Sequence, residues 1–316
     1  MKLSDIGEFG LIERIKAGLG QALPEGFMGI GDDCASIPQR GGMQTLVSTD
    51  MLVEGAHFIL EDIGPYRLGW KSAAVNISDV AAMGGRPVAS FLAVALPKGL
   101  DSEWTDEFMK GYKEVSALSG CLLLGGDTTS SLDKLCVCVT VIGECPVGAS
   151  VPRSGAKEGD NICVTGSLGD SGAGLRIILE GLERDSVAEK LIEKHYMPVP
   201  RVEEGMALAA TEGVHAMMDI SDGIGSDLRH ILKASGKGAV MNLPAFPLSE
   251  ELRSCCLRYG WDPYDLATGG GEEYELLFTA SPSAKIRVPH YVIGRITAGS
   301  RIDWGGGKDY GGFHHF

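Results

Sequence analysis

Five short glycine- or turn-flanked segments of this chain carry one or two aspartates: GIGDD (29–33), STD (48–50), NISD (76–79), GGD (125–127) and DISDG (219–223). Hardly any has a basic residue beside it. Gathered carboxylates repel, each pair by about 4 kcal/mol at roughly 4 Å and an effective dielectric near 20. A fold that brings several together needs cations, and hard oxygen ligands select magnesium or calcium. Taken together, the five segments read as a multi-magnesium site, whose usual purpose is to hold a polyphosphate.

Each segment also has a plainer reading. GIGDD is either a pair of ligands or a loop closed by an Asx turn. STD offers two hydroxyls and a carboxylate at a strand end. Asp79 in NISD falls in a mainly apolar helix, where it is either paired or metal-bound facing the core, or sits on the one exposed face. The glycines of GGD let backbone N–H groups approach an anion. DISDG joins a strand to a helix N-terminus suited to phosphate, unless Ser221 or Asp222 simply caps that helix. A sixth stretch, GSLGDSGAGL (166–175), resembles a phosphate loop but lacks the Lys-Ser/Thr of a P-loop. His57 is either a surface histidine or a phosphate contact. Arg153 and Lys157 either neutralise phosphates or form a solvated hinge. Glu272 and Glu273 either cap the following strand or present a carboxylate to a cation. No Ser/His/Asp or Cys/His pairing supplies a nucleophile, so transfer by positioning and charge neutralisation is favoured.

The elements that must position these residues alternate between strand and helix in the first half. Strands are expected at 44–49, ending at Asp50, and at 87–96, 121–124 (leading into GGD) and 135–142. A buried helix is expected at 66–83, rich in alanine and apolar on most sides. Residues 101–119 place Trp104, Phe108, Tyr112, Val115 and Leu118 at helical spacing behind an Asp101/Ser102 cap. The Gly-, Pro- and Ser-rich stretch 146–160 marks a boundary, giving domains 1–147 and 148–316. Beyond it, strands are expected at 161–165, 216–220 and 274–279. Helices are expected at 173–180, 186–195, 201–211, 224–234 and after Glu250.

Composition narrows the class. Hydrophobic residues make up 44% of the 316-residue chain and charged residues 22%, as in a soluble globular protein. No run of about eighteen apolar residues and no signal-like start is present, which argues against a membrane partner or secretion. The eight cysteines form no CxxC pair and read as reduced core thiols of a cytoplasmic protein. A net charge of −14 argues against nucleic acid.

Read together and in order, GIGDDCA, STDMLVEGAHF, AVNISDVAAMG, LLGGDTT, RSGAKEGD, DISDGIGSDL and GGGEEYEL resemble the thiamine-monophosphate kinases. That family belongs to the superfamily typified by aminoimidazole ribonucleotide synthetase. The resemblance runs from Glu8 to Phe316. It implies an α/β (α+β) fold of two domains, with mixed sheets packed by helices. It also implies a homodimer joined through the N-terminal sheets, with ATP in a cleft. The implied reaction is ATP-dependent phosphorylation of thiamine monophosphate to thiamine diphosphate with several Mg²⁺ ions. By that resemblance Asp33, Ser48, Thr49, Asp50, Asp79, Asp127, Asp219 and Asp222 are the metal ligands, and Asp50, Asp79 and Asp127 the catalytic set. Gly126, Asp127, Arg153 and Ser221 match nucleotide contacts, and His57, Glu272 and Phe313 match substrate contacts. The chain departs from the family at Met109, where members often carry a nucleotide-contacting tyrosine, and at Phe313, often Tyr or Trp. The rival readings are another ATP-dependent enzyme of the superfamily and a nucleotide-binding sensor without turnover.

Overall fold

The computed structural model describes residues 23–306 and 308–312, together with 10, 12, 13, 16 and 17. The first sheet is organised by β5 (Cys136–Pro146), whose alternate residues Val137, Val139 and Val141 are buried while their neighbours are not. It lies between β2 (Met43–Val53) and β3 (Arg86–Pro97), antiparallel to both. With β1 (Ala35–Pro38) and β4 (Leu122–Ser131) the order is β1-β2-β5-β3-β4, and β4 runs parallel to β3.

Helices cover one face of this sheet. After a single turn, α1 (Leu60–Ile63), comes α2 (Pro65–Ala82), which is buried nearly all round, as its composition predicts. Against it packs α3 (Ser102–Leu118), capped by Asp101, whose side chain accepts from Trp104 N at 2.8 Å. Phe108, Tyr112 and Val115 face inward as expected, whereas Leu118 is 73% exposed. The two helices cross at backbone contact: a Cβ on Gly69 would lie 1.9 Å from the Phe108 carbonyl oxygen.

Strands of the first sheet run past their expected ends, β5 continuing beyond 142 to Pro146. β2 does not end at Asp50, because its pairing with β5 continues to Val53 opposite Cys136. β4 does not stop before GGD but runs through it to Ser131. There the glycines serve close strand approach, since a Cβ on Gly126 would lie 1.7 Å from Leu92 O.

The second sheet contains β6 (Asn161–Val164), β7 (Val214–Asp219), β8 (Gly238–Met241), β9 (Leu276–Ala280), β10 (Tyr291–Thr297) and β11 (Ile302–Asp303), ordered β11-β8-β10-β6-β9-β7. Only β11 and β8 pair in parallel. The helices of this half are α4 (Asp170–Glu180), α5 (Ser186–Tyr196), α6 (Val202–Ala209), α7 (Ile224–Ser235), α8 (Glu250–Tyr259) and α9 (Pro263–Gly269). Helix α6 is seated on α2 of the first half, with the site of a Gly205 Cβ only 2.1 Å from Ala81 O. The halves therefore meet along α2, and the cavity described below opens between them. All eight cysteines are free thiols, six of them buried. No helix among the described residues is long and apolar enough to cross a membrane.

Candidate active site

Three elements deliver aspartates to one point. Asp33 follows the turn ahead of β1, Asp79 comes from α2, and Asp219 closes β7. One carboxylate oxygen from each lies within 4.8 Å of the other two. Around them, Ser48 Oγ donates to Asp79 Oδ2 and Ser78 Oγ donates to Asp219 Oδ2 at 2.5 Å. Asp50 is fixed through its backbone N–H, which donates to Asn76 Oδ1 at 3.0 Å. Arg153 approaches from the linker, with Nη2 2.6 Å from Asp33 Oδ1 and its backbone N–H donating to Asp32 Oδ1 at 3.0 Å.

The charge balance is poor. Burial, then the charge of Asp33, pushes Asp219 up to about 7 and Asp50 up to about 6. Burial, then Asp50 and Asp219, holds Asp79 well above the carboxylate range. Asp32 rises to about 6 through burial and the adjacent Asp33. Arg153 is the cation seated on this group and pairs with only one member. An all-oxygen donor set, converging and under-neutralised, fits a hard divalent cation such as Mg²⁺.

These residues line a cavity of about 1630 Å³. Asp33, Ser48, Thr49, Asp50, His57, Asp79, Arg153, Asp219, Ser221, Asp222 and Glu272 all border it. Thr49 does so with its hydroxyl turned away: in a strand, side chains alternate, so Ser48 and Asp50 face α2 while Thr49 Oγ1 lies 3.0 Å from Thr140 Oγ1 and donates to Val139 O at 3.1 Å. Gly126 and Asp127 sit exposed on edge strand β4, outside the cavity. Phe313 lies outside the described residues. Met109 is partly buried against the core of the first half. Lys157 points elsewhere, its Nζ 3.0 Å from His215 Nε2.

Both glycine-rich turns that resemble anion cradles are filled by the chain's own carboxylates. Asp227 accepts from the backbone N–H of Asp222 (3.2 Å) and Gly223 (3.0 Å), so neither Ser221 nor Asp222 caps α7. Glu273 accepts from Gly169 N at 2.7 Å and Ser171 N at 3.2 Å, which starts α4 at Asp170, three residues before the expected 173. Neither Glu272 nor Glu273 is an exposed strand cap.

Glu272 borders the same cavity. Its Oε2 is 2.8 Å from Lys71 Nζ and 3.2 Å from His195 Nδ1. Burial works against its ionisation, but Lys71, together with His195 and His57, outweighs that, so its carboxyl lies below the ordinary range. Its backbone takes φ +59°, a left-handed conformation costing about 1–3 kcal/mol in a non-glycine residue. His57 Nδ1 accepts from Val53 N–H at 2.9 Å, which leaves Nε2 as the donor of the neutral ring. Buried His195 is held neutral, its pKa lowered to about 3 by burial and then by Lys71. Sequence reasoning passed over Lys71, His195 and Asp227, and weighed Glu273 only as a strand cap or a partner for a cation, not as the acceptor at the start of α4. Of these, Lys71 carried a signal, as a cation midway along a helix whose following turns are mostly small and apolar.

Comparison with known proteins identifies the family and the fold. The AIR synthase related protein family matches through its N-terminal domain at residues 31–145 and its C-terminal domain at residues 157–304. The chain belongs to that family and has its two-domain fold of mixed sheets packed by helices. It is 37% identical over 280 residues to the thiamine-monophosphate kinase of Aquifex aeolicus, covering 88% of this chain and 87% of that one. It is 42% identical over 280 residues to that of Salmonella typhimurium, covering 86% and 82%. The solved structure of AaThiL complexed with AMPPCP and TMP superposes with a TM-score of 0.92 at 35% identity, over 100% of this chain and 99% of that one. Within the wider family the chain thus falls among the thiamine-monophosphate kinases, and it is an enzyme.

Proposed function

We propose that the protein transfers the γ-phosphoryl group of ATP directly onto the phosphate of thiamine monophosphate, giving thiamine diphosphate and ADP. The observation that carries this reading is the convergence of Asp33, Asp79 and Asp219 in a cavity that Glu272 and His57 also border. The relative solved with AMPPCP and TMP supports the same pair of substrates.

In this reading an oxygen of the acceptor phosphate attacks the γ-phosphorus in line, the bond from the γ-phosphorus to the β–γ bridging oxygen breaks, and ADP leaves. No general base is needed, because a phosphate monoester is largely ionised near neutral pH. Negative charge must approach negative charge, which is the main barrier the site has to lower. Asp33, Asp79 and Asp219, with Ser48, Asp50 and Asp222 around them, would hold the Mg²⁺ ions, which supply charge neutralisation and alignment when bound. Arg153 is placed to meet the nucleotide beside Asp33, with Ser221 at the same rim. Glu272 and His57 would receive the substrate, the carboxylate facing its cationic thiazolium ring.

Domains 1–147 and 148–316 would divide the work between metal binding and contacts to nucleotide and substrate. The N-terminal domain would also pair with a second copy through its open sheet face. On that face lie Met51 (55% exposed) and Phe91, next to an edge strand carrying exposed Leu122 and Leu124. Asp127 and Gly126 belong to that edge, so any catalytic part they play would be completed in the dimer. Free thiols and an acidic surface support a cytoplasmic enzyme.

The test is incubation of the purified protein with ATP, Mg²⁺ and thiamine monophosphate, with thiamine diphosphate and ADP quantified by chromatography. Equal amounts of both products, abolished by EDTA, are expected. ADP without thiamine diphosphate would replace the acceptor, and no turnover would remove the kinase reading.

A further inference from the structure

Lys71 is the one fully buried lysine among the described residues, with 0% of its side chain exposed. A buried ammonium needs partners, and those of Lys71 lie in the second half of the chain and at His57 on the cavity border. Its Nζ pairs with Glu272 Oε2 at 2.8 Å, lies 3.5 Å from the backbone oxygen of His57, and stands over the ring of Tyr196 at 5.9 Å. It therefore lies behind both residues assigned to the substrate while touching none of the cavity itself. Glu272, 22% exposed, has Oε2 engaged by Lys71 and neighboured by His195, and no hydrogen bond to its Oε1 is found among the described residues. Its left-handed backbone is pinned by Glu272 N–H donating to Ser221 O at 2.7 Å and Tyr274 N–H donating to Ile220 O at 2.9 Å. An unfavourable backbone persists only where its surroundings over-determine it.

We propose that Lys71 is a positioning residue, which by its ion pair across the two halves fixes Glu272 with Oε1 presented to the cationic part of the substrate. The inference rests on the kinase reading above for the identity of that substrate. Lys71 acts through the 2.8 Å pair with Glu272, its 3.5 Å contact with the His57 backbone oxygen being the weaker one. Removing it frees or buries an unpaired carboxylate, and removing both partners removes the unpaired charge but not the loss of binding.

The test compares Lys71→Met, Glu272→Gln and the double variant in the full-length protein, measuring kcat, KM for thiamine monophosphate and the thermal midpoint. Lys71→Met is expected to lower the midpoint and to raise KM about tenfold or more, with kcat changed less than about threefold. The double variant is expected to recover the midpoint while its KM stays at the value of Glu272→Gln. A double variant more than threefold worse in KM than Glu272→Gln would overturn the proposal, as would recovery of KM together with the midpoint. If Lys71→Met does not fold, the double variant against Glu272→Gln decides alone. A double variant that does not fold counts against the proposal, because Lys71 is then needed for something other than Glu272. A wild-type chain that makes no thiamine diphosphate would overturn the kinase reading, a result distinct from any ranking of the variants.

Discussion

DISDG and GGD look alike in sequence, each an aspartate motif at an apolar strand, yet their surroundings are opposite. Asp219 is buried at the end of β7, held by Ser78 from α2 and within reach of Asp33 and Asp79. Asp127 is exposed on β4, on a sheet face that no described element covers. The difference is made by α2, which lies over one side of the first sheet and reaches the edge of the second. A carboxylate next to glycine becomes part of a site only when a second element is packed against it, and α2 supplies that element for one motif and not the other.

That contrast can be broken most directly at its buried end. Asp79→Asn or Asp219→Asn is expected to lower kcat by about 10²-fold or more, as for loss of a preorganised charge contact. Steady-state formation of thiamine diphosphate at saturating Mg²⁺ measures it, and a change below threefold would mean that the cluster is not the reaction centre. At the exposed end, Asp127→Asn is expected to cost about tenfold or more if a second copy completes that edge. An unchanged rate would confine the chemistry to the buried cluster. Leu122→Lys checks the same point by sedimentation, where a shift from dimer to monomer is expected.

Smaller effects sharpen the comparison. His57→Ala is expected to raise KM for the substrate by about fivefold while kcat falls less, because the residue borders the cavity without belonging to the aspartate cluster. The reverse pattern would move His57 into the chemistry. The cluster also marks stability. Asp219 has its pKa raised from 3.8 to about 7, so the folded chain binds that proton more tightly than the unfolded one. The stability it contributes is complete below 3.8 and is lost as pH rises through about 7. Protein stripped with EDTA is therefore expected to melt about 5 °C lower at about pH 8 than at about pH 5.5. Added Mg²⁺ should restore the midpoint at the higher pH, and Asp219→Asn should flatten the difference. Asp127→Asn, with its side chain in water, is expected to leave the profile unchanged.

Much of the fold could be read from residue patterns. The helices α2 and α3 and the Asp101 cap follow from apolar spacing, and β5 from strict alternation. Asp79 in its apolar helix was readable either as a paired carboxylate facing the core or as an exposed one, and its half-buried seat against Ser48 was visible only in the structure. Register was less accessible. The length of β2 depends on pairing with β5, a partner about ninety residues away in sequence, and that pairing is what turns the Thr49 hydroxyl from the other two members of STD. The filled cradles were not legible either, since nothing local shows that Glu273 lies under Gly169 or that Asp227 folds back on its own loop. Lys71 was visible as an oddity, but its partner stands 201 positions along the chain.

The seat of α6 on α2 bears on how such a chain could be divided or recombined. Gly205 has no room for any side chain where it meets Ala81, so the two halves are fitted to each other at a backbone surface. A gene break near codon 147 would leave each product with one side of that fit exposed. Exchange of the second half for that of a distant homologue would require a residue as small as glycine at this one position, far from any aspartate, before the metal ligands could meet at all.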